Sequence, residues 1–329
     1  MRILCLAAAV LTWPLIPFGA YVRLNNAGLS CPDWPLCYGQ FFPPPGFEIA
    51  LETGHRFVAT LLGIIIIAIT IIAFRQAAYF KHQKIAVISL IIVCIQGILG
   101  ALTVTMVLWP PIVTLHLIGG NLLFGILVYL ARVTFNKTEE NSVSETEIPG
   151  NPRKGLAQVH RHLFWMLAVL LIIITSGGYN STTSSGNHCE AFPGCHEGSA
   201  VSFGMSGTDI SAWSGLKGHI LPPAPAEFQG RFFPQYENEW IHMLHRFIAL
   251  SGGMALMIMA WVWLKNRHGY QLIGLSIVLL ILLEIGVGIT NAVFRVPQPI
   301  SALHTAIAAT LTGIFFYVFA EVHLKKPKI

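Results

Sequence analysis

Charge is what this chain has least of. Only 11% of its 329 residues are Asp, Glu, Lys or Arg, against about a quarter in an average soluble protein. With 54% hydrophobic residues and a mean hydropathy of +0.65, a water-soluble globular protein is excluded. The apolar runs also lack the polar–apolar alternation of barrel strands, so backbone groups in lipid must be satisfied within helices. A spanning helix needs about 20 mostly apolar residues. Eight stretches qualify, near 3–22, 55–74, 85–106, 112–131, 162–178, 240–264, 270–292 and 302–322. The expected class is an all-α integral membrane protein with eight transmembrane helices.

A net charge of +5 can mark nucleic-acid binding, but here half of the connections are poor in Lys and Arg. Arg2, then Arg75, Lys81 and Lys84, then Arg132, Lys137, Arg153 and Lys154, then Lys265 and Arg267, then Lys325, Lys326 and Lys328 fall at the termini and in every second loop. The positive-inside rule puts both termini in the cytoplasm and the intervening loops outside. Nucleic acid is not an expected partner. No small-residue cleavage site precedes Arg23 and the basic n-region is minimal, so the first run reads as a helix rather than a signal peptide. A polar, turn-rich stretch with Glu139, Glu140, Glu145, Glu147, Pro149, Gly150 and Pro152 divides the chain. The expected units are 1–135, a cytoplasmic linker 136–160, and 161–329. The outside loop over roughly 179–238 is long enough to be functional or disordered.

One short stretch occurs twice at the outer start of an apolar run, once with Glu52, His55 and Arg56 and once with His242, His245 and Arg246. Each copy is followed by another histidine in an apolar segment: His55 to His116 is 61 residues, His245 to His304 is 59. Gly100 to His116 and Gly288 to His304 are both 16, and Gln96 and Glu284 each lie four before their glycine. Cys31 to Cys37 and Cys189 to Cys195 are both six apart, with an aromatic residue then Pro in the same slots. This is an internal repeat. Two tandem four-helix bundles that enter the membrane from the same side predict a pseudo-twofold axis along the membrane normal.

Histidine is costly in lipid and, where present, faces a bundle interior and serves a function. In this topology His55, His116, His245 and His304 all lie near the outer ends of helices running inwards. Two imidazoles at matching depth on separate helices can clamp one planar cofactor, as axial histidines hold haem iron. A lone membrane histidine would as readily hydrogen-bond a neighbouring helix; four in duplicated register favour ligation. Zinc or copper is disfavoured because two histidines per half leave the coordination thin. His242 and His245 share a helical face, so either could ligate, and the repeat favours His245. Arg56 and Arg246 sit where a guanidinium can pair with a cofactor carboxylate, or simply anchor the interface. Glu52, one turn before His55, is a candidate for proton transfer or for stabilising positive charge, or else a solvated first-turn acid. Its counterpart His242 suggests one reactive site and one electron-carrying site.

The paired cysteines lie on the oxidising side, where disulfides are permitted and can be redox-active if strained. His188 and His196 flank the second pair and leave a zinc alternative there, but no histidine flanks the first, which favours disulfides for both. Cys5 and Cys94 are expected in the apolar core. His160 and His162 have an interfacial role at the inner end of helix 5. Gly97, Gly100, Gly119, Gly120, Gly286 and Gly288 permit close approach of a helix or a flat macrocycle.

The segment from Arg23 through Gly28, Cys31, Trp34 and Cys37, the Glu52-x-x-His55-Arg56 stretch, His116, and the His245-Arg246 and His304 counterparts resemble the haem A synthase family over nearly the whole chain. The resemblance implies oxidation of the C8 methyl of haem O to a formyl group, giving haem A for terminal oxidases. It implies haem O as substrate at His55 and His116, haem b at His245 and His304, and Glu52 as the catalytic carboxylate. It further implies that Cys31 and Cys37 form a redox-active disulfide, with Cys189 and Cys195 more structural. Membrane lipid, the haem O synthase and terminal-oxidase assembly factors are the implied surroundings, and a homo-oligomer is compatible with them.

Three rival readings remain at this point. A two-haem cytochrome b that only relays electrons should have equivalent flanks around its two sites, and Glu52 against His242 speaks against that. A transporter of parallel repeats has no need of two histidine pairs and outside cysteines. A structural assembly factor leaves the cost of four intramembrane histidines without a reason.

Overall fold

A computed structural model describes residues 1–135, 152–189, 194–195, 236–265 and 271–324. Eight long helices run through them: α1 Arg2–Leu24, α2 Phe47–Arg75, α3 Gln83–Thr105, α4 Pro110–Phe135, α5 Pro152–Thr182, α6 Glu237–Lys265, α7 Gln271–Val293 and α8 Gln298–Leu324. All eight are long and apolar enough to cross a membrane, and each contains one of the expected stretches to within a residue or two at its margins. This is an all-α, multi-pass membrane protein. Lys137, Arg267, Lys325, Lys326 and Lys328, used above for orientation, lie outside the described residues, as do most of the linker and of the long outside loop.

Several helices begin earlier than hydropathy alone suggests. α2 starts at Phe47, just after Pro43-Pro44-Pro45-Gly46, because proline cannot continue a helix backwards and the mixed Phe47–Glu52 stretch is still competent to form one. Glu52 therefore sits more than a turn inside α2. α4, α5 and α8 carry Pro at their first or second position, where the missing N–H costs no hydrogen bond.

Helices α2, α3 and α7 carry stripes of exposed Ile, Leu and Phe at helical spacing, such as Ile64, Ile67, Ile71 and Phe74 on α2 and Ile88, Ile91, Ile95 and Ile98 on α3. Such faces are stable only against lipid. Cys94 is exposed on this outer side of α3, whereas Cys5 is buried. The core position expected for Cys94 is corrected accordingly; an all-apolar helix gives no periodicity from which to tell its lipid face from its protein face.

The helices form two rings. In the first, α1 packs on α2, α2 on α3, α3 on α4 and α4 on α1; in the second the same order holds for α5 to α8. Each ring has its own apolar core, around Leu62, Ile66, Leu127 and Leu130 in the first and Leu163, Met166, Leu256, Ile277 and Phe315 in the second. The rings meet where α4 packs on α8, α1 on α8 and α4 on α5, a list that maps onto itself when the halves are exchanged. On α4 the notch at Gly125 receives Phe316, and on α8 the notch at Gly313 receives Phe124; a side-chain carbon would stand 2.2 and 2.8 Å from those rings. Across the same interface Arg132 pairs with Glu321, Arg23 with Ser181, and Trp13 Nε1 donates to Thr310 Oγ1 at 3.0 Å.

The repeat reaches into backbone detail. Val107 and Leu108 between α3 and α4, and Arg295 and Val296 between α7 and α8, all have positive φ, a strained setting for side chains of this size. In both turns the second residue donates its N–H five residues back, Leu108 to Thr103 and Val296 to Asn291. Both turns dock on a glycine, Leu108 against Gly28 and Val296 against Gly186.

Candidate functional site

At one end of each ring lies a disulfide, Cys31–Cys37 in the first half and Cys189–Cys195 in the second. With Cys189 and Cys195 joined to each other they are unavailable as thiolate ligands, which removes the zinc alternative; His196 lies outside the described residues. His188 is occupied with Ser184 and Asn238.

Each loop is held by the arginine one turn below it. Arg56 Nη1 donates to the carbonyls of Asp33 (2.9 Å) and Leu36 (2.6 Å), and its Nη2 to Glu52 Oε1 at 2.6 Å. Arg246 Nη1 donates to Gly194 O at 2.7 Å, Nη2 to Cys189 O at 3.0 Å, and Nε to His242 Nε2 at 3.2 Å. Arg56 thus pairs with the Glu52 carboxylate as well as with the loop. Both arginines clamp loop carbonyls, a contact between distant segments that local spacing does not reveal.

Glu52 is 4% exposed. Its Oε2 accepts the Cys31 N–H at 2.8 Å and its Oε1 accepts from Arg56, so it joins the disulfide loop to the helix that carries His55. The solvated first-turn reading fails. The remaining lone pairs of the two oxygens stay available for another donor. Outside the membrane, Asp33 accepts the N–H groups of Gly39 (2.8 Å) and Tyr38 (2.6 Å). Those bonds, that of Gly39 foremost, hold its carboxyl below the ordinary value of 3.8.

The four histidines come together in two pairs, His55 interacting with His116 and His245 with His304. All four rings are half-buried, and none has a hydrogen bond at Nε2 among the described residues. A glycine faces each ring. A side-chain carbon at Gly19, Gly100, Gly177 or Gly288 would stand 3.0, 3.6, 2.9 or 3.2 Å from Cε1 of His55, His116, His245 or His304. Gly19 and Gly177 escaped the sequence reading because a single glycine on α1 or α5 carries no register with a histidine on another helix. Among the expected small residues, Gly97 and Gly286 face open space, and Gly119 and Gly120 face the Gln96 side chain.

Paired histidines whose Nε2 atoms carry no hydrogen bond among the described residues, with small residues clearing the ring edges, suit a planar macrocycle whose metal both imidazoles would ligate. Among the described residues no cluster of three or more His, Cys, Asp and Glu could hold a bare metal ion. The donor set thus fits haem better than zinc or copper.

Fold and site define a class: a polytopic membrane protein of two four-helix halves, each with a histidine pair under a disulfide-closed loop. The chain belongs to the cytochrome oxidase assembly protein family, which it matches over residues 2–316. It is 30% identical to heme A synthase of Shewanella oneidensis, covering 92% of this chain and 90% of that protein. It is 24% identical to heme A synthase of Bacillus licheniformis over 91% of this chain and 88% of that one. A shorter similarity, 28% over 45% of this chain, reaches a protoheme IX farnesyltransferase of Halobacterium salinarum, of which 32% is covered.

Proposed function

We propose that this protein is a haem A synthase of the bacterial cytoplasmic membrane, with both termini inside and the disulfide loops outside. In this reading the first unit, 1–135, holds substrate haem O through His55 and His116. The second, 161–329, holds a resident haem b through His245 and His304, and 136–160 links them; a pseudo-twofold axis along the membrane normal relates the halves. Bound haem O would bring the C8 methyl, whose conversion to formyl with oxygen from water releases four electrons and four protons, and haem b would pass the electrons one at a time to an acceptor outside the chain.

The residues of the chain do the rest. His55 and His116 fix the substrate at the outer end of the first ring. Glu52, held by the Cys31 N–H and Arg56, presents a carboxylate on the face of α2 that carries His55. There it stabilises positive charge developing at the methyl carbon and takes a proton from the water that adds. Arg56 and Arg246 belong to the cofactor sites as clamps that keep each loop closed over its haem. Cys31 and Cys37 border the reacting side through the Glu52 contact, and Cys189 and Cys195 close the other half. Haem A leaves for a terminal oxidase and its assembly factors, and haem O arrives from the farnesyltransferase that makes it, within membrane lipid.

The observation that carries this reading is the buried Glu52 bonded to the Cys31 loop beside His55, where the other half has His242. It distinguishes a reactive site from a relay, which a plain cytochrome b would not need. The test is the haem content of purified protein, by reduced-pyridine spectra and chromatography of extracted haems. Wild type should contain haem b with haem O or A, and Glu52→Ala should keep haem b and haem O but form no haem A. Haem b alone in both proteins would leave an electron carrier as the better account.

A further inference from the structure

Glu284 on α7 and Gln96 on α3 are equivalent in the repeat: 284 − 96 = 188, the separation that also relates Gly100 to Gly288 and His116 to His304. Their side chains nonetheless do different things. Oε2 of Glu284 lies 3.1 Å from Nδ1 of His304, an ion-pair distance at which the ring is not aligned for a full hydrogen bond. Gln96 instead lies over Gly119, where its Nε2 takes up the space that a side-chain carbon would need. His116 is left with no Nδ1 partner among the described residues.

The cause can be read on the opposite helix. The residue equivalent to Gly119 is Ile307, which is buried. Glycine on α4 lets the Gln96 amide settle against the helix, whereas isoleucine on α8 fills that place and leaves Glu284 directed at the ring. The other histidine of each pair repeats the contrast. Ser176 Oγ lies 2.9 Å from Nδ1 of His245, while the equivalent Phe18 meets His55 edge-on with centroids 5.7 Å apart, leaving the His55 Nδ1 without a partner among the described residues.

A metal-bound imidazole whose second nitrogen faces a carboxylate is held in one orientation and becomes a stronger donor; one without such a partner is looser and weaker. We propose that Glu284 is a positioning residue that turns Nε2 of His304 towards the cofactor and strengthens it as a ligand, making the second site permanent, while the Gln96–Gly119 arrangement leaves His116 a weaker ligand suited to a haem that must enter and leave. The inference rests on the reading of the four histidines as haem ligands.

Its test is a redox titration of haem b in the full-length protein, with haem content measured in parallel. A stronger ligand favours oxidised iron, so Glu284→Gln should raise the midpoint. At the wild-type midpoint the ratio of reduced to oxidised haem b should rise about tenfold, which is 59 mV for one electron. A wild-type midpoint in Glu284→Gln would overturn the proposal. If that variant loses its haem b, Glu284→Asp decides: retention there, by a shorter carboxylate, supports positioning, and loss in both overturns it. A wild type devoid of haem would instead sink the ligand assignment, and this inference with it.

Discussion

The two halves of this molecule share a frame and differ in where each keeps a carboxylate. In the first half the acid is Glu52, one turn before His55 on the same helix and tied to a disulfide loop and to Arg56. In the second half that position is His242, and a carboxylate, Glu284, is set instead against the histidine ring itself. An acid beside the bound molecule can act on it; an acid behind a ligand can act only on the ligand. The contrast teaches how a duplicated site divides its work: glycines, loop clamps and left-handed turns stay, while the few polar neighbours of the imidazoles are exchanged.

The largest effect should come from removing the acid proposed to act on the substrate. Glu52→Ala should lower haem A formation by about a hundredfold or more, and the double change Glu52→His with His242→Glu should not restore it. Restored activity in the double variant would mean that the halves are interchangeable and the comparison empty.

Next come the glycines that face the rings. Gly177→Val should deplete haem b, because its side chain would begin 2.9 Å from His245, and Gly19→Val should deplete haem O and haem A while sparing haem b. The identities of the extracted haems read this directly, and loss of both kinds in either variant would break the assignment of one haem to each half. The redox shift expected for Glu284→Gln is smaller, since it changes a ligand's strength and not its presence.

The arginine clamps should separate the halves more gently. Lysine cannot reproduce a fork of donors, and each lost bond to a charged donor is worth about 1.5–3 kcal/mol at most. Arg56→Lys should lower turnover several-fold, since Glu52 loses a partner along with the loop. Arg246→Lys should leave turnover near wild type and lower the thermal midpoint. Equal losses of turnover in the two would argue against a division of labour.

The smallest effect belongs to Asp33. Its depressed carboxyl favours the folded loop at neutral pH and ceases to do so as pH falls through that depressed value. Asp33→Asn should speed amide exchange at Tyr38 and Gly39 without altering haem content. Unchanged exchange would show that the loop is held by Arg56 and the disulfide alone.

Much of this was legible in the sequence, because membrane helices announce themselves by composition and because a duplicated chain can be checked against itself. The helices, the histidine pairs and the cysteine pairs all follow from runs and spacings along one strand of text. What escaped depends on contacts between segments far apart: Gly19 and Gly177 opposite their histidines, Ser176 behind His245, and the guanidiniums turned to loop carbonyls. Residues 47–54 escaped for another reason. Glu48, Glu52, Thr53 and Gly54 lower the hydropathy of this stretch and hide a helix that begins just after the Pro43–Pro45 run, and with it the burial of Glu52.

The interlock at Gly125 and Gly313 has a consequence for how the protein is made. Synthesis runs from the N-terminus, and the first ring can close on itself through α1 and α4 as soon as four helices have been inserted. The notch on α4 must then wait, lined only by lipid, until α8 delivers Phe316 to it and receives Phe124 in return. Because α8 is also the most enclosed of the eight and makes two of the three helix packings between the rings, α4 on α5 is the helix packing that joins the halves until α8 is in place. A chain without α8 would keep one closed ring, leave the second open between α5 and α7, and expose the faces of α1 and α4 that α8 covers.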